Sequence, residues 1–239
     1  MCFLQRLYTK AAPLREFSQF KITYTIIILN LLAYLFTSFL SGSIAEMNLQ
    51  KLVDVGALYG PYVVFKEEWW RLGSAMFLHG GMTHILMNMV SLYLVGRGAE
   101  IYFDAKSYVV IYFFSGIIGA LVSLIVHPQS VGVGASGAVF GLFGALAGFF
   151  LAHRDRLALQ SKAFMKDFGV IILINIIFGL AVPSVDMSAH IGGLIVGFVG
   201  GFVIQRNAKW FVSYVVAMLL FIFFFYAVLP EVYMGIFRP

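Results

Sequence analysis

Seven apolar blocks restrict this chain more than any other feature: roughly residues 22–40, 75–95, 107–126, 134–152, 168–184, 188–204 and 211–229. A helix crosses the bilayer hydrocarbon in about 20 residues. Inside that hydrocarbon the backbone must satisfy its own hydrogen bonds. Each block therefore reads as a membrane-spanning helix. The runs are apolar on every face, whereas the strands of a transmembrane barrel alternate over about ten residues. Composition excludes the soluble alternative. A 239-residue chain that is 61% hydrophobic and 11% charged has too little polar surface to cover a water-soluble fold. The fold class is all-α and polytopic.

Charge sets the expected orientation. With the N-terminus in the cytoplasm, Arg6, Lys10, Arg15, Lys21, Arg97, Lys106, Arg154, Arg156, Lys162, Lys166, Arg206 and Lys209 fall inside. Only Lys51, Lys66, Arg71 and Arg238 fall outside, and twelve against four satisfies the positive-inside rule. The net charge of +5 is thus spread between apolar blocks as topology signal, not gathered into a basic groove, and nucleic acid is not an expected partner. The first apolar run, about 19 residues, exceeds the roughly 7–15 of a signal-peptide core, so it reads as a span. The lone cysteine, Cys2, excludes an internal disulfide framework and a cysteine metal cluster. The connection 41–73 and the loop 153–167 read as solvated topology determinants, with Trp69 and Trp70 suited to the membrane interface.

Polar groups within spans are costly, so they are the functional candidates. The second block carries His84 and Asn88, four residues apart and on one helical face. The fourth begins Gly132-Val-Gly-Ala-Ser-Gly137, which puts Ser136 in its first turn, and the sixth begins Asp186-Met-Ser-Ala-His190. All three helices start at the outer face, so these residues share one depth. Gly137, Gly141, Gly144 and Gly148 line one face of the fourth helix, and Gly193, Gly197 and Gly201 one face of the sixth. Small-residue stripes let helices approach closely in lipid. If the stripes face each other, parallel helices bring Ser136 and His190 together.

That pairing has a chemical use. A serine hydroxyl becomes a nucleophile when a histidine takes its proton, and the tetrahedral intermediate then needs donors aimed at its oxyanion. His84, Asn88 and the Ser136 amide, at a helix N-terminus of positive potential, suit that task. Asp186 is the sole acidic residue near His190, at the helix entrance, so a two-residue arrangement is expected and Asp186 is a weak third member. Taken singly, each residue has a duller role: a serine at a glycine-rich helix start is usually a cap, and a membrane histidine is often a satisfied core residue. His79 and His84 lack acidic or sulfur companions, which argues against metal. His127 and His153 read as loop and helix-end residues.

At this point the motifs resemble those of the rhomboid intramembrane serine proteases. Gly134-Ala-Ser-Gly137 resembles their Gly-x-Ser-Gly, His84-Ile-Leu-Met-Asn88 their His-x-x-x-Asn, and Ala189-His190-Ile-Gly-Gly193-Leu-Ile-Val-Gly197 their Ala-His-x-x-Gly-x-x-x-Gly. Trp70-Arg71 matches a Trp-Arg pair of the family, and Glu100 an acidic residue held to stabilise that end of the second helix. The resemblance implies a six-helix core over 22–204, a cytoplasmic segment 1–21, and an appended seventh helix with a short tail over 205–239. It implies Ser136 as nucleophile, His190 as base and acid, and His84, Asn88 and the Ser136 amide as oxyanion hole, with Gly134 in the supporting turn. It also implies transmembrane proteins as substrates, cut near the outer face of the bilayer, with no cofactor and no metal. Many bacterial members carry Tyr where this chain has Phe140, whose ring can still stack on the histidine. The expected location is a bacterial cytoplasmic membrane with the N-terminus in the cytoplasm. The alternative is a catalytically inactive, client-binding relative. Such relatives typically lose the serine or histidine that this chain keeps. A transporter would favour repeated halves, and none is visible.

Overall fold

The computed structural model describes residues 17–182 and 185–237. Cys2, most of the 1–21 segment, and the Arg6, Lys10, Arg15 and Arg238 charges lie outside the described residues. The chain is a helical polytopic membrane protein with seven long helices in the expected order. These are α1 (Lys21–Ser41), α5 (Met82–Tyr102), α6 (Ala105–Val126), α7 (Ser136–Ala152), α8 (Ala158–Ala181), α9 (Met187–Arg206) and α10 (Trp210–Phe237). Of these, α1, α6, α9 and α10 are long and apolar enough by themselves to cross a membrane. Their outer faces are apolar and exposed, as at Leu32, Leu35 and Phe39 on α1 and Leu220 and Phe223 on α10. That is the pattern of a surface solvated by lipid.

Local sequence explains some of the ends. Helix α1 stops where Gly42 takes φ +65°, and α6 starts where the Asp104 carboxylate accepts from the Ser107 amide at 2.8 Å. Three helices have bounds that differ from the sequence reading. Helix α5 begins at Met82 rather than near 75, because Ala75–Phe77 forms a 3₁₀ turn before Gly80 and Gly81. It also runs on to Tyr102, past two charges. Helix α8 begins at Ala158 rather than Phe168, so the expected loop 153–167 shrinks to 153–157; its Lys162, Lys166 and Asp167 are helical residues at the polar end. Helix α10 continues through Pro230 to Phe237.

Arg97 and Glu100 explain why α5 persists. Arg97 is buried, not a solvated topology charge, and its guanidinium lies 4.5 Å from the Phe20 ring and 4.6 Å from that of Tyr93. Glu100 accepts from the Ile22 and Thr23 amides at 2.9 and 3.0 Å and from the Thr23 hydroxyl at 2.7 Å. The acidic residue therefore caps the start of α1, where first-turn amides lack intrahelical partners. It serves a neighbouring helix as much as its own.

The connection 41–73 is folded, not solvated. It contains α2 (Leu49–Asp54), β1 (Leu58–Tyr59), α3 (Gly60–Phe65) and α4 (Arg71–Ser74), and buries Leu52, Ala57, Leu58 and Val63. Arg71, expected as an outer-loop charge, is buried: one guanidinium nitrogen donates to the Val53 and Ala57 carbonyls at 2.7 and 2.9 Å while Nε meets Glu68. Trp70 is exposed as the interfacial reading expects, but Trp69 packs 4.9 Å from Tyr226 of α10. Strand β1 pairs antiparallel with β2 (Val131–Gly132), Leu58 opposite Gly132.

At the centre, α7 is buried almost from end to end and lies backbone to backbone on α9. A Cβ added to Gly193 would sit 2.0 Å from the Gly137 carbonyl oxygen, one on Gly197 1.8 Å from that of Gly141, and one on Gly201 2.2 Å from that of Ala145. The two glycine stripes face each other, and only glycine permits this approach.

Candidate functional site

Parallel packing of α7 and α9 fixes what meets at their N-terminal ends. Ser136 is the first residue of α7 and His190 the fourth of α9, and the Ser136 hydroxyl lies 2.7 Å from His190 Nε2. Which atom donates depends on the imidazole tautomer; with the ring proton on Nδ1, Nε2 accepts from the serine hydroxyl. That Nδ1 is buried and has no hydrogen-bond partner among the described residues. Phe140, one turn beyond Ser136, stacks on the imidazole with centroids 4.3 Å apart and planes 12° from parallel. The ring is thus oriented by an aromatic face, in the place where soluble serine hydrolases commonly use a carboxylate.

Asp186 is otherwise engaged. Its carboxylate caps α9 through the Ala189 amide at 3.1 Å and accepts from the Ser188 and Ser123 hydroxyls, with His127 Nε2 at 4.0 Å. Burial pushes this carboxyl up, but those hydroxyls, the amide and His127 together hold it below the usual carboxylate range. Its part is to fix the first turn of α9 against α6. It makes no hydrogen bond to the His190 ring, so the expected weak third member is corrected to a helix cap.

The turn leading into Ser136 is held from two sides. Pairing of β2 with β1 anchors it to the connection 41–73, and the Gly134 amide donates to the Ala75 carbonyl at 2.9 Å. Gly134 has φ +123°, and a Cβ there would lie 2.8 Å from His84 Nε2. Both the conformation and the contact demand glycine. His84 Nδ1 accepts from the Gly80 amide at 3.4 Å, leaving the proton on Nε2, which faces the turn. Asn88 is buried and donates one amide hydrogen to the His84 carbonyl at 3.0 Å, which leaves the second available. The start of α5 is fastened in turn by Met47 N to Gly80 O and Met82 N to Ala45 O, each 2.9 Å.

All six sequence candidates, Ser136, His190, His84, Asn88, Gly134 and Phe140, therefore gather at one end of α5, α7 and α9. Sequence reading missed the supports: Ala75, Ser123 and the β1–β2 pair. An N-cap signal marked Asp186, since a carboxylate precedes an apolar run. Nothing local marked its partner Ser123, 63 residues away.

A helical polytopic membrane protein with serine and histidine paired at the shared end of two close-packed helices is a narrow class. Comparison with known proteins identifies it. The Rhomboid domain family model matches residues 66–207. The chain is 37% identical over 180 residues to the Rhomboid protease GluP of Bacillus subtilis, covering 74% of this chain and 33% of that protein. It is 40% identical over 168 residues to RHOMBOID-like protein 6, mitochondrial, of Arabidopsis thaliana, covering 70% of this chain and 53% of that one. RHOMBOID-like protein 2 of the same plant is 40% identical over 159 residues, 66% of this chain and 50% of its own. The chain belongs to the rhomboid family. It spans between a third and about half of the length of these relatives.

Proposed function

We propose that this chain is an intramembrane serine endopeptidase that cleaves transmembrane segments of other proteins in the bilayer. The observation that carries the reading is the 2.7 Å contact between Ser136 Oγ and His190 Nε2, and membership of a family that includes a named protease supports it. Ser136 attacks the scissile carbonyl while His190 Nε2 takes the hydroxyl proton. The intermediate's oxyanion is met by His84 Nε2–H, the second Asn88 amide hydrogen and the Ser136 amide. His190 returns the proton to the leaving amine, and water then resolves the acyl-enzyme with the same two residues. Phe140 keeps the imidazole in plane. Gly134 lets the turn pass under His84.

The helices over 22–204 act as the catalytic core in this reading, and 205–239 adds α10. The charge distribution supports a cytoplasmic N-terminus, with Ser136 and His190 toward the outer face. A bacterial cytoplasmic membrane is the proposed location, with relatives in both Bacillus subtilis and Arabidopsis thaliana. The test uses purified chain in detergent with a fluorogenic transmembrane peptide. Ser136→Ala and His190→Ala should abolish turnover, and a fluorophosphonate should label wild type but not Ser136→Ala. Asn88→Ala, missing one oxyanion donor, should lower kcat by roughly 10²–10³. Equal turnover in wild type and both dyad variants would overturn the reading.

A further inference from the structure

We propose that the end of the α7–α9 pair opposite Ser136 holds a phosphate-ester anion, supplied by the headgroup of an anionic phospholipid. Helix α7 is 17 residues long, so this end lies roughly 25 Å from the serine. A cavity of about 330 Å³ opens there, lined by Ala152, His153, Asp155, Arg156, Gln205 and Arg206. The two arginines come from different elements: Arg206 from the last turn of α9, Arg156 from the short loop after α7. Among the described residues neither has an ion-pair partner, and both are exposed. The one carboxylate in the lining, Asp155, lies 3.8 Å from Arg154. His153 Nδ1 donates to the Phe149 carbonyl at 3.1 Å, which turns Nε2 away from its own helix, and Gln205 Nε2 is anchored on the Tyr102 carbonyl at 3.1 Å.

Two effects compete over the sign of this cavity. The C-terminal ends of α7 and α9 each contribute up to about half a negative charge. Asp155 and Arg154 offset each other, so Arg156 and Arg206 outweigh the helix ends by about one positive charge. A planar guanidinium recognises phosphate oxygens in bidentate fashion. Basic pockets between membrane helices, at headgroup level, are where anionic lipids bind. The cavity holds a phosphate and its ester carbons, and the acyl chains continue along lipid-exposed helix faces. Occupancy would tie the α7–α8 loop to the end of α9, bracing the helix pair that carries the candidate site. The assignment stands whether or not Ser136 is a nucleophile.

The experiment is native mass spectrometry of the full chain in micelles, titrated with phosphatidylglycerol or phosphatidylcholine. Wild type should retain phosphatidylglycerol in preference. Arg156→Gln or Arg206→Gln should each weaken retention roughly fivefold and the pair about thirtyfold. Lys209→Gln, on the same face but outside the cavity, should change it less than twofold. Competition by millimolar inorganic phosphate would place a free phosphate ion in the same cavity and overturn the lipid source. Absence of competition supports the headgroup. Equal retention of the two lipids overturns the proposal, as does undiminished phosphatidylglycerol binding by the double variant. So does an equal loss in Lys209→Gln, which would mean a diffuse surface charge. Unchanged melting temperature in each variant keeps misfolding apart from lost binding.

Discussion

Gly197→Ala tests whether helix contact, rather than local hydrogen bonding, sets the Ser136–His190 distance. The added methyl would lie 1.8 Å from the Gly141 carbonyl oxygen, and ordinary van der Waals contact starts near 3.4 Å. Neither partner is the end of a flexible side chain, so the backbones must part by about 3.4 − 1.8 = 1.6 Å. Applied as a rigid translation, that opens the 2.7 Å serine–histidine contact to about 4.3 Å. Half as much, if the helices splay about their ends, still takes it to about 3.5 Å, the limit of a hydrogen bond. Overpacking of this kind costs about 1–3 kcal/mol of stability, while a displacement near 1 Å at a reacting pair costs on the order of 10²-fold in rate. The expected result is a folded protein with kcat/KM down about 10²-fold or more on a transmembrane peptide and with similarly slowed fluorophosphonate labelling. Gly169→Ala on α8, where a Cβ meets nothing within 4 Å, is the control and should behave as wild type. A folded Gly197→Ala protein with wild-type turnover would refute the reasoning, because it would mean that the pair's geometry does not depend on the glycine contact.

Phe140→Ala removes the ring stacked on His190 and should lower kcat roughly threefold to tenfold, the worth of an aromatic pair; Phe140→Tyr should retain activity in the same peptide assay. Glu100→Ala leaves the Ile22 and Thr23 amides and the Thr23 hydroxyl without their carboxylate. Differential scanning fluorimetry should show it less stable by about 2–3 kcal/mol, with turnover per folded molecule unchanged. Asp186 has its folded pKa lowered, so its contribution to stability is present above the ordinary carboxylate pKa and is lost as pH falls through the folded value. Melting curves from pH 7 down to 3 should therefore fall less steeply for Asp186→Asn than for wild type, the variant starting lower at pH 7.

The long helices and the facing glycines were legible because lipid imposes a crude requirement, about 20 apolar residues per span, and because close approach leaves glycine as its trace. The errors have the same root. Ala75 to Leu78 is as apolar as a helix start, so hydropathy assigned it to the second span although it forms a 3₁₀ turn. Lys162, Lys166 and Asp167 hid the first turns of α8, since charge signals the end of hydrocarbon rather than the end of a helix. The connection 41–73 was opaque for a different reason. Its order comes from partners far along the chain, Leu58 on Gly132 and Met47 on Gly80. Arg71 shows how this misleads: a charge that composition places in water spends its donors on Glu68 and on the Val53 and Ala57 carbonyls.

These contacts bear on how the candidate Ser136–His190 site keeps its geometry. With a carboxylate behind the histidine, imidazole orientation is set by a directional bond to its Nδ1. Here no such bond exists among the described residues, and three weaker constraints replace it: the Phe140 stack, the Asp186 cap that seats the first turn of α9, and the glycine contacts that lock α9 on α7. None acts on the ring nitrogen itself. Each restricts a different freedom: ring tilt, helix register and interhelical distance. The serine side is restrained in parallel, by β1–β2, which reaches back into the connection 41–73, and by Gly134 on Ala75 in the 3₁₀ turn that follows it. Helix α10 extends that chain of supports, because the Tyr233 hydroxyl donates to the Leu124 carbonyl at 2.9 Å and its ring borders Phe65 of α3. Substitutions in that connection or at Tyr233 should therefore alter the Ser136–His190 geometry from a distance, through the serine turn and the end of α6, and do so before they unfold the bundle.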